Sequence, residues 1–365
     1  MGGRIRVALV FGGRSSEHAV SCSTAANVMD ALDLDTYELV PVGISREGRW
    51  VLMPPSPDLL RLTASQVPEV ADDHSALVLS LDTARGLKTV DDRSGAFAGV
   101  DVVFPLLHGP FGEDGTLQGL LELLDIPYVG SGVLASAAMQ DKHYMRILLA
   151  AKGFRVGDYE TITDKDWQRD PDTALQRCGR LRLPVFVKPS RAGSSIGVQR
   201  VRSWPELRAA VETARGHDPK VLIEEGIHGR EIECAVLEGR GSEPPRTTLP
   251  GEIVVTGRDF YDFDAKYLDP NAAELIIPAD LPAEAAAEIC QTAADAFEAM
   301  GCEGLARVDF YYTADGKVLI NELNTMPGFT PTSMFPLLWQ HSGMSYPELV
   351  DELIHLALSR KLGLR

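Results

Sequence analysis

Residues 304–324 predict two β-strands joined at Asp315-Gly316. An Asp-Gly pair between two alternating runs is a strong signal for a β-hairpin. If the turn has two or four residues, four pairs face each other on one side of the hairpin: Thr313 with Val318, Tyr311 with Ile320, Asp309 with Glu322, and Arg307 with Asn324. We therefore expect a face that is apolar near the turn and strongly polar at its far end. A three-residue turn would break this register.

The polar end of this hairpin predicts a metal site. Two carboxylates at directly opposite positions destabilise a sheet unless a positive charge lies between them. Asp309, Glu322 and Asn324 offer oxygen ligands, which suit Mg2+ or Mn2+ held partly by protein and partly by substrate phosphates. Two other interpretations stay open: a solvated sheet edge, or a salt bridge from Arg307 that balances the pair without metal.

The beginning of the chain, over about 135 residues, alternates strands with helices and predicts an α/β unit with a mostly parallel sheet. A short apolar strand at 4–11 stops at Gly12-Gly13 and passes into a helix at 17–32. Further strands are expected at 37–44, 101–106 and 127–129, with a helix at 115–124. Residues 53–99 are rich in Pro, Ser and Asp, and we expect a surface connection there.

A second unit follows a helix at 140–152 that ends at Gly153. Strands at 183–188, 196–200 and 221–224 predict an antiparallel or mixed α+β arrangement. A third unit begins with the strand at 231–237. These signals divide the chain into units at 1–138, 139–230 and 231–365.

Two helices of the third unit have clear end signals. The first has Asp280 as its expected N-cap, Pro282 near its start and Gly301 just beyond its end. The last helix of the chain begins with a capping box formed by Ser345 and Glu348.

Composition excludes several classes of function. The 365 residues include 35 Lys and Arg against 52 Asp and Glu, a net charge of -17. This excess argues against general nucleic-acid binding, which depends on basic residues that neutralise phosphates. The apolar runs fall far short of the ~18 residues of a membrane helix, and the N-terminus leads into no signal-peptide core. The five cysteines lack CxxC spacing, and we expect them to be small buried apolar side chains of a protein in a reducing compartment: Cys22, Cys178, Cys234, Cys290 and Cys302.

A lysine and a glycine-serine loop predict a phosphate-binding segment in the second unit. Lys188 ends a strand, and residues 193–195 follow as Gly-Ser-Ser. Small residues let backbone N–H groups approach an anion, and hydroxyls add donors. A plain turn is the alternative. Downstream, Glu224 and Glu231 could accept from an adenine amino group and ribose hydroxyls, or be exposed strand acids.

Three loops carry further candidate residues. Residues 260–267, an aromatic and acidic segment, lie in a loop-like stretch at 247–271, where a lid or a packed aromatic plug is expected. In the first unit, Glu17 and His108 follow strands that would deliver their loops to a ligand crevice. Either side chain could meet an amine or a carboxylate. Helix N-capping by Ser15 or Ser16 explains the first loop almost as well.

The motifs occur together in a specific order: Gly12-Gly13-Arg14-Ser15-Ser16-Glu17-His18, His108-Gly109 with Gly112-Glu113-Asp114-Gly115-Thr116, Gly130-Ser131-Gly132 with Asp141-Lys142, Lys188-Pro189-Ser190 with Gly193-Ser194-Ser195, the 260–267 segment, Arg307-Val308-Asp309, and Asn321-Glu322-Leu323-Asn324-Thr325-Met326-Pro327-Gly328. From Val7 to the last helix, this set resembles the D-alanine:D-alanine ligase family of the ATP-grasp superfamily. Ala19 and Phe263 depart from the family's usual residues.

The resemblance implies a fold and a reaction. The fold would be an α/β N-terminal domain with a mostly parallel sheet, which holds substrate, followed by an α+β two-lobed ATP-grasp domain with the metal site in its C-terminal lobe. ATP would phosphorylate the carboxylate of one D-alanine, and the amine of a second would attack the acyl phosphate. The products would be D-alanyl-D-alanine for peptidoglycan synthesis, ADP and phosphate. Two Mg2+ or Mn2+ ions, a homodimer and a cytoplasmic location are also implied, without nucleic-acid or membrane partners.

The resemblance also implies which residues bind ATP. Lys142 and Lys188 would hold the α- and β-phosphates. Glu224 with the following backbone would bind adenine, and Glu231 would bind ribose. Two metal ions that neutralise charge during phosphoryl transfer would be held by Asp309, Glu322 and Asn324.

Further residues would act on D-alanine. Arg307 and the Gly328 N–H would stabilise the tetrahedral intermediate. Glu17 would receive the ammonium of the first D-alanine, with Ser194 and Tyr267 linking it to mobile loops that exclude water from the acyl phosphate. The substrate-binding residues would be His108, Lys266 and Ser333.

Three rival functions remain at this point. A ligase that joins D-alanine to D-lactate is the nearest, but Tyr267 after Lys266 resembles the dipeptide-forming members. A carboxylase-type ATP-grasp enzyme would need its own acceptor site, against which the Glu17 loop argues. A nucleotide-binding module without turnover would need neither the metal ligands nor Arg307, so the presence of all of them argues against it.

Overall fold

The computed structural model describes residues 3–63, 66–71, 76–79, 87–89, 99–255 and 273–360. The elements of the first part of the chain are β1 (Ile5–Gly12), α1 (His18–Ala31), β2 (Tyr37–Ile44), β3 (Trp50–Leu52), β4 (Leu77–Leu79), β5 (Leu87–Thr89), β6 (Val102–Pro105), α2 (Thr116–Leu123) and α3 (Val133–Gln140).

The first sheet has the strand order β3-β2-β1-β6, and β1 is parallel to both of its neighbours. Only β3 is antiparallel within this sheet, so the predicted mostly parallel sheet is confirmed. Alternate residues of β1 enter different cores: Val7, Leu9 and Phe11 on one face, Ala8 and Val10 on the other. Burial on both faces explains the continuous apolar run.

Two expectations for this region are wrong. Residues 127–129 do not form a strand and make only a single parallel bridge, between Val103 and Tyr128. Residues 53–99 are not merely a surface connection, because Met53, Leu60 and Val70 are buried in the core beside β1. Their side chains cover a sheet face that would otherwise be exposed to water.

The second sheet has the order β7-β10-β8-β9, and all its pairs are antiparallel, as one of the two predicted arrangements requires. Helix α4 begins one residue after Asp141, and Gly153 follows its end with a positive φ of 89°. The elements here are α4 (Lys142–Ala151), β7 (Tyr159–Ile162), α5 (Asp164–Arg169), α6 (Pro171–Arg177), β8 (Val185–Pro189), β9 (Gln199–Val201), α7 (Leu207–Arg215) and β10 (Val221–Glu225).

The third sheet has the order β14-β13-β11-β15-β16, and β12 also pairs with β11. The elements are β11 (Gly229–Leu237), β12 (Arg246–Thr247), β13 (Gly251–Val255), β14 (Ala273–Ile276), α8 (Ala283–Ala299), β15 (Leu305–Thr313), β16 (Val318–Asn324), α9 (Met334–His341) and α10 (Tyr346–Ser359). The interpretation of 247–271 as one loop is wrong for β13, whose residues pair with both β11 and β14. None of the helices in the described ranges is long and apolar enough to cross a membrane.

The end signals of the two helices are partly confirmed. The capping box of Ser345 and Glu348 is present at the start of α10. Asp280 is not the N-cap of α8, because Pro282 holds that position with no side-chain cap. The Asp280 carbonyl instead accepts a hydrogen bond from Arg230 Nη1 at 2.7 Å.

The far end of the β15–β16 hairpin has the predicted register. Asp309 lies opposite Glu322, and Arg307 lies opposite Asn324. The two carboxylates therefore face each other at the end of the sheet that borders the first unit's loops.

Near the turn the predicted register is wrong. Val318 pairs with Tyr312 instead of Thr313, and Ile320 pairs with Phe310 instead of Tyr311. The reason is that residues 313–317 form an odd-length turn, in which the Thr313 N–H donates to the Lys317 carbonyl at 3.0 Å. The apolar residues Val318 and Ile320 consequently face the core and not the polar side.

A β-bulge at Asn321 joins the two registers. Phe310 pairs with Ile320 while Asp309 pairs with Glu322, so Asn321 is an additional residue on β16. Such a residue reverses the alternation of the strand that carries it. Val318 and Ile320 are buried before the bulge and Leu323 is buried after it, which turns Glu322 and Asn324 away from the core.

Candidate active site

A cleft of about 1070 Å³ lies where the loops of the first unit meet the other two sheets. Every predicted site residue that the structure describes lines this cleft: Glu17, His108, Lys142, Lys188, Ser194, Glu224, Glu231, Arg307, Asp309, Glu322, Asn324, Gly328 and Ser333. Lys266 and Tyr267, with the rest of the 260–267 segment, lie outside the described residues. Widely separated motifs thus form one site.

Lys142 connects the glycine-serine loop to the hairpin. Its Nζ donates to the Ala192 carbonyl at 3.2 Å and lies 3.5 Å from Glu322 Oε2. The lysine is the first residue of α4, whose N-cap, Asp141, accepts hydrogen bonds from the helix backbone and from Ser190 Oγ. Asp141 also pairs with Lys220. These contacts fix the helix end from which Lys142 reaches into the cleft.

Lys188 and Glu224 form a buried cluster with Arg146. One carboxylate oxygen of Glu224 pairs with Lys188 Nζ and the other with Arg146 Nη2. Burial raises the pKa of such a carboxyl, but the charges of Arg146 and Lys188 outweigh it and hold the pKa of Glu224 below its ordinary value. Both oxygens are therefore already bound to cations, which leaves the Glu224 carboxylate poorly suited to adenine.

The glycine-serine loop contacts the first unit directly. Ser194 Oγ donates a hydrogen bond to Glu17 Oε1. At Gly193, a Cβ would lie 3.0 Å from Glu17 Oε2, which is closer than ordinary van der Waals contact, so glycine lets the loop approach without displacing this carboxylate. Ser194 and Ser195 have positive φ values of 49° and 56°, a conformation that non-glycine residues rarely adopt.

Glu17 occupies the N-cap position of α1, which the sequence predicts as an alternative role of Ser15 or Ser16. It precedes the helix without capping it through its side chain, and its N–H donates to Ser15 Oγ at 3.2 Å. The carboxylate is instead directed to Ser194, and the residue as a whole is only 6% exposed. A buried carboxylate with a hydroxyl partner can receive a substrate ammonium.

His108 and Glu113 lie beside Glu17. His108 is buried, which lowers its pKa, and its Nε2 has no hydrogen-bond partner among the residues that the structure describes. Burial and the charge of Glu17 raise the pKa of Glu113 to about 8, despite a hydrogen bond from the Gly109 N–H. This wall thus combines a neutral imidazole with a carboxyl group, that of Glu113, which keeps its proton at neutral pH.

Arg307 is held between two carboxylates. Its Nε and Nη2 donate to the two oxygens of Asp309 at 2.7 and 2.8 Å, and its Nε lies 2.9 Å from Glu233 Oε2. Burial lowers the pKa of a guanidinium, but Asp309 and Glu233 raise the pKa of Arg307 well above its ordinary value. A cation is therefore fixed at the polar end of the hairpin.

The salt bridge between Arg307 and Asp309 corresponds to the alternative interpretation of the hairpin, in which Arg307 balances the paired carboxylates without a metal ion. Within the described ranges, no group of three or more His, Cys, Asp and Glu side chains is placed to hold a metal ion. The donor set still fits Mg2+ or Mn2+, because Asn324 Nδ2 donates to Asp309 Oδ2 at 3.0 Å and this leaves its amide oxygen beside two carboxylates.

Gly328 and Ser333 lie close together on the loop before α9, where residues 330–333 form a turn. A Cβ on Gly328 would lie 3.2 Å from Ser333 Oγ. The Ser333 hydroxyl accepts from the Thr330 N–H at 3.2 Å and lies 2.7 Å from Thr330 Oγ1. The turn positions the Ser333 hydroxyl immediately before α9.

Family models match most of the chain. Residues 6–131 match the model described as D-ala D-ala ligase N-terminus, and residues 148–355 match D-ala D-ala ligase C-terminus. The chain belongs to the D-alanine–D-alanine ligase family.

Individual members of this ligase family align over nearly their full length. A protein named D-alanine--D-alanine ligase from Arthrobacter sp. (strain FB24) is 56% identical, covering 99% of this chain and 96% of the relative. One of the same name from Mycolicibacterium gilvum is 52% identical, with complete coverage of both. The sequence-based assignment to the family is confirmed.

Solved structures of ligases confirm the predicted fold class. The D-alanine-D-alanine ligase of Coxiella burnetii superposes with a TM-score of 0.83 at 35% identity, covering 98% of this chain and 95% of that one. VanG D-Ala:D-Ser ligase from Enterococcus faecalis gives a TM-score of 0.84 at 34% identity, covering 97% and 100%.

Three residues of this ligase site were missed from the sequence. Arg146 follows Lys142 by one helical turn, a spacing that places both on one side of α4. Glu233 follows Glu231 by two residues on β11 and shares its face, so strand alternation alone could have identified it. Glu113 belongs to a quoted motif, but only its burial beside Glu17 indicates its altered pKa.

Proposed function

We propose that this protein joins two D-alanine molecules to D-alanyl-D-alanine with the conversion of ATP to ADP and phosphate, as a step in peptidoglycan precursor synthesis. Family membership supports the reaction. The observation that carries the proposal for the site is the convergence of Lys142, Lys188 and Arg307 with Glu17 in one cleft. In such a cleft, Glu17 can bind the ammonium group of an amino acid, while the three cations can bind phosphate and carboxylate groups.

ATP would bind between the second and third sheets. Lys142 and Lys188 would contact its α- and β-phosphates, and the glycine-serine loop would cover them. We propose that Glu224 acts on the nucleotide through Lys188, because both of its oxygens already bind cations. The backbone of 225–227, which also lines the cleft, would then contact adenine, and Glu231 would bind the ribose.

Asp309, Glu322 and Asn324 would hold two Mg2+ or Mn2+ ions. When bound, such ions would neutralise the charge that develops in phosphoryl transfer. Glu233 has a separate part in this arrangement, since it gives Arg307 a second carboxylate partner besides Asp309. Arg307 would thus remain oriented when Asp309 binds a cation.

The D-alanine molecules would bind at the wall that carries Glu17. Glu17 would receive the ammonium of the first D-alanine, and His108 would lie beside its carboxylate. That carboxylate oxygen attacks the γ-phosphorus of ATP, the bond to the bridging oxygen breaks, and ADP leaves. Arg307 and the Gly328 N–H would then stabilise the oxyanion that forms when the second amine attacks the acyl phosphate, and phosphate would leave as the amide forms.

The remaining predicted residues would select and enclose the second substrate. Lys266 and Ser333 would hold its carboxylate, while Ser194 and Tyr267 would link Glu17 to the loops that close the cleft. Exclusion of water matters because an acyl phosphate otherwise hydrolyses. The division into three domains belongs to the same proposal, with boundaries after α3 and before β11, because 138/139 and 230/231 would each divide one of these elements. A cytoplasmic location beside the ATP pool is proposed as well.

A homodimer is also proposed, and exposed apolar side chains support it. Helices α2, α3 and α4 follow one another in contact and expose large apolar residues: Leu123, Val133, Leu134, Tyr144, Ile147 and Leu148. Such a surface is typical of an interface with another protein chain. Sedimentation should give a dimer that Leu134→Glu dissociates and that the control Leu34→Glu, also at an exposed leucine, leaves intact. A monomeric wild-type protein would contradict this.

An ADP-release assay tests the reaction. Purified protein with ATP and Mg2+ should release ADP and phosphate in response to D-alanine alone. D-lactate or D-serine as the second substrate should give little product at neutral pH when they compete with D-alanine. A requirement for D-lactate or D-serine would change the substrate class, and ATP binding without ADP release would indicate a nucleotide-binding module.

A further inference from the structure

Cys234 and Cys290 are far apart in the sequence, but the fold brings their thiols together as a pair. Cys234 lies on β11 and Cys290 on α8, which packs against that strand. Both sulfur atoms are directed at one carbonyl oxygen: Cys234 Sγ lies 3.7 Å and Cys290 Sγ 3.4 Å from Thr248 O. The two thiols therefore share one acceptor and are neighbours where α8 packs against β11.

The two thiols differ in their access to solvent and in their acidity. Cys234 is fully buried, while Cys290 is partly exposed. Interaction with the neighbouring Cys234 thiol lowers the pKa of Cys290 to about 7, although burial opposes this change. Burial raises the pKa of the three other thiols, Cys22, Cys178 and Cys302, to about 12. Because the thiolate is the reactive form, Cys290 is the nucleophile of the set.

We propose that Cys234 and Cys290 are a modification site that closes reversibly to a disulfide by exchange with a low-molecular-weight disulfide such as oxidised glutathione. The Cys290 thiolate attacks one sulfur of the small disulfide, whose S–S bond breaks and releases one small thiol. Cys234 then attacks Cys290 Sγ, loses its proton, and displaces the second small thiol. The protein loses two electrons and two protons, and the small disulfide gains them.

The interpretation of all five cysteines as small apolar residues is therefore incomplete. The Cys234 side chain lies in the core between β11 and α8, while its neighbour Glu233 contacts Arg307 in the cleft. The thiol pair is consequently separate from the ligase chemistry, and its formation of a disulfide does not depend on the proposed reaction.

The test uses the full-length protein and oxidised glutathione. After treatment, the protein is denatured and alkylated with iodoacetamide, and its peptides are analysed by mass spectrometry. Of the five thiols, the three outside the pair should be alkylated, and one linked peptide should join Cys234 to Cys290. Dithiothreitol should restore alkylation at all five. Alkylation of all five after treatment, or a glutathione adduct that persists on Cys290 without the link, would overturn the proposal.

Serine variants test the order of the two steps. Cys234→Ser should retain one glutathione on Cys290, because the resolving thiol is absent. Cys290→Ser should acquire neither glutathione nor a link. The control Cys302→Ser removes a buried thiol elsewhere and should still form the link. A Cys290→Ser protein that acquires glutathione on Cys234 would contradict the assignment of the nucleophile. The wild-type measurement stands by itself if a variant fails to fold.

Discussion

Ser194 and Glu17 are hydrogen-bonded although they are 177 positions apart in the sequence. The bond joins the glycine-serine loop of the second unit to the start of α1 in the first unit. Gly193 permits this approach, since a larger residue would meet the Glu17 carboxylate. The proposed phosphate cover and the proposed ammonium site are therefore one connected structure.

Ser194→Ala should lower kcat/KM for D-alanine by roughly 10- to 100-fold, since hydrogen bonds to charged groups contribute about 1.5–3 kcal/mol. ADP release at varied D-alanine concentration measures this. The control Ser203→Ala removes a hydroxyl that bonds Glu206 outside the cleft and should leave the kinetics unchanged. Equal kinetics in both variants would show that the bond has no part in turnover.

Glu322→Gln should lower kcat by at least about 100-fold, because it removes a charge from the proposed metal ligands. The folded structure should persist, since this side chain is partly solvent-exposed at 24%. Circular dichroism and ADP release together separate the two effects. Asp315→Asn, at the exposed turn of the same hairpin, is the matched control. A near-normal rate for Glu322→Gln would remove this residue from the site.

Arg146→Ala should lower the free energy of unfolding by about 3 kcal/mol, because removal of one member of a buried ion pair leaves a buried charge undercompensated. Urea denaturation measures the change. Arg155→Ala is the control: its exposed pair with Glu288, at 3.4 Å, should contribute at most about 1 kcal/mol. Similar losses in both variants would show that burial of Glu224 does not govern the stability.

Glu113→Gln should stabilise the protein increasingly as pH rises. The folded-state pKa of Glu113 is raised from 4.5 to about 8, so between these values the folded protein keeps a proton that the unfolded chain has lost. Stability due to Glu113 therefore falls as pH rises through this window. Glutamine stays neutral, and the variant should gain roughly 3–4 kcal/mol over wild type between about pH 5 and about pH 8.5.

Urea denaturation at both pH values provides this difference. Glu284→Gln is the control, because this exposed residue in α8 should give the same difference from wild type at both. A pH-independent effect of Glu113→Gln would show that the carboxyl is ionised in the folded protein.

Asp125→Gly should stabilise the protein by about 0.5–1 kcal/mol. Asp125 follows the end of α2 with a φ of 54°, and the N–H groups of Asp125 and Ile126 donate to the Glu122 and Leu121 carbonyls. This is the turn in which glycine is preferred after a helix. Lys152→Gly, at a φ of -87° after α4, should destabilise instead. Thermal unfolding distinguishes the two signs.

The sequence predicts the elements with strong periodicity and the polar end of the hairpin, because these depend on local alternation and turn chemistry. It does not predict that Val318 and Ile320 face the core, since an odd-length turn and a bulge change the alternation between them and Glu322. Arg146 was also missed, because its role depends on Glu224, a residue on a strand distant in sequence. One error thus arises from a local irregularity of the hairpin and the other from a contact between sequentially distant elements.

The bulge at Asn321 makes the backbone conformation of β16 as important as its composition. If the same residues alternated regularly from Val318 to Asn324, Glu322 and Asn324 would enter the same apolar interior as Val318 and Ile320. In this hairpin the conformation of one residue between the core and the cleft therefore determines which side chains can meet a ligand.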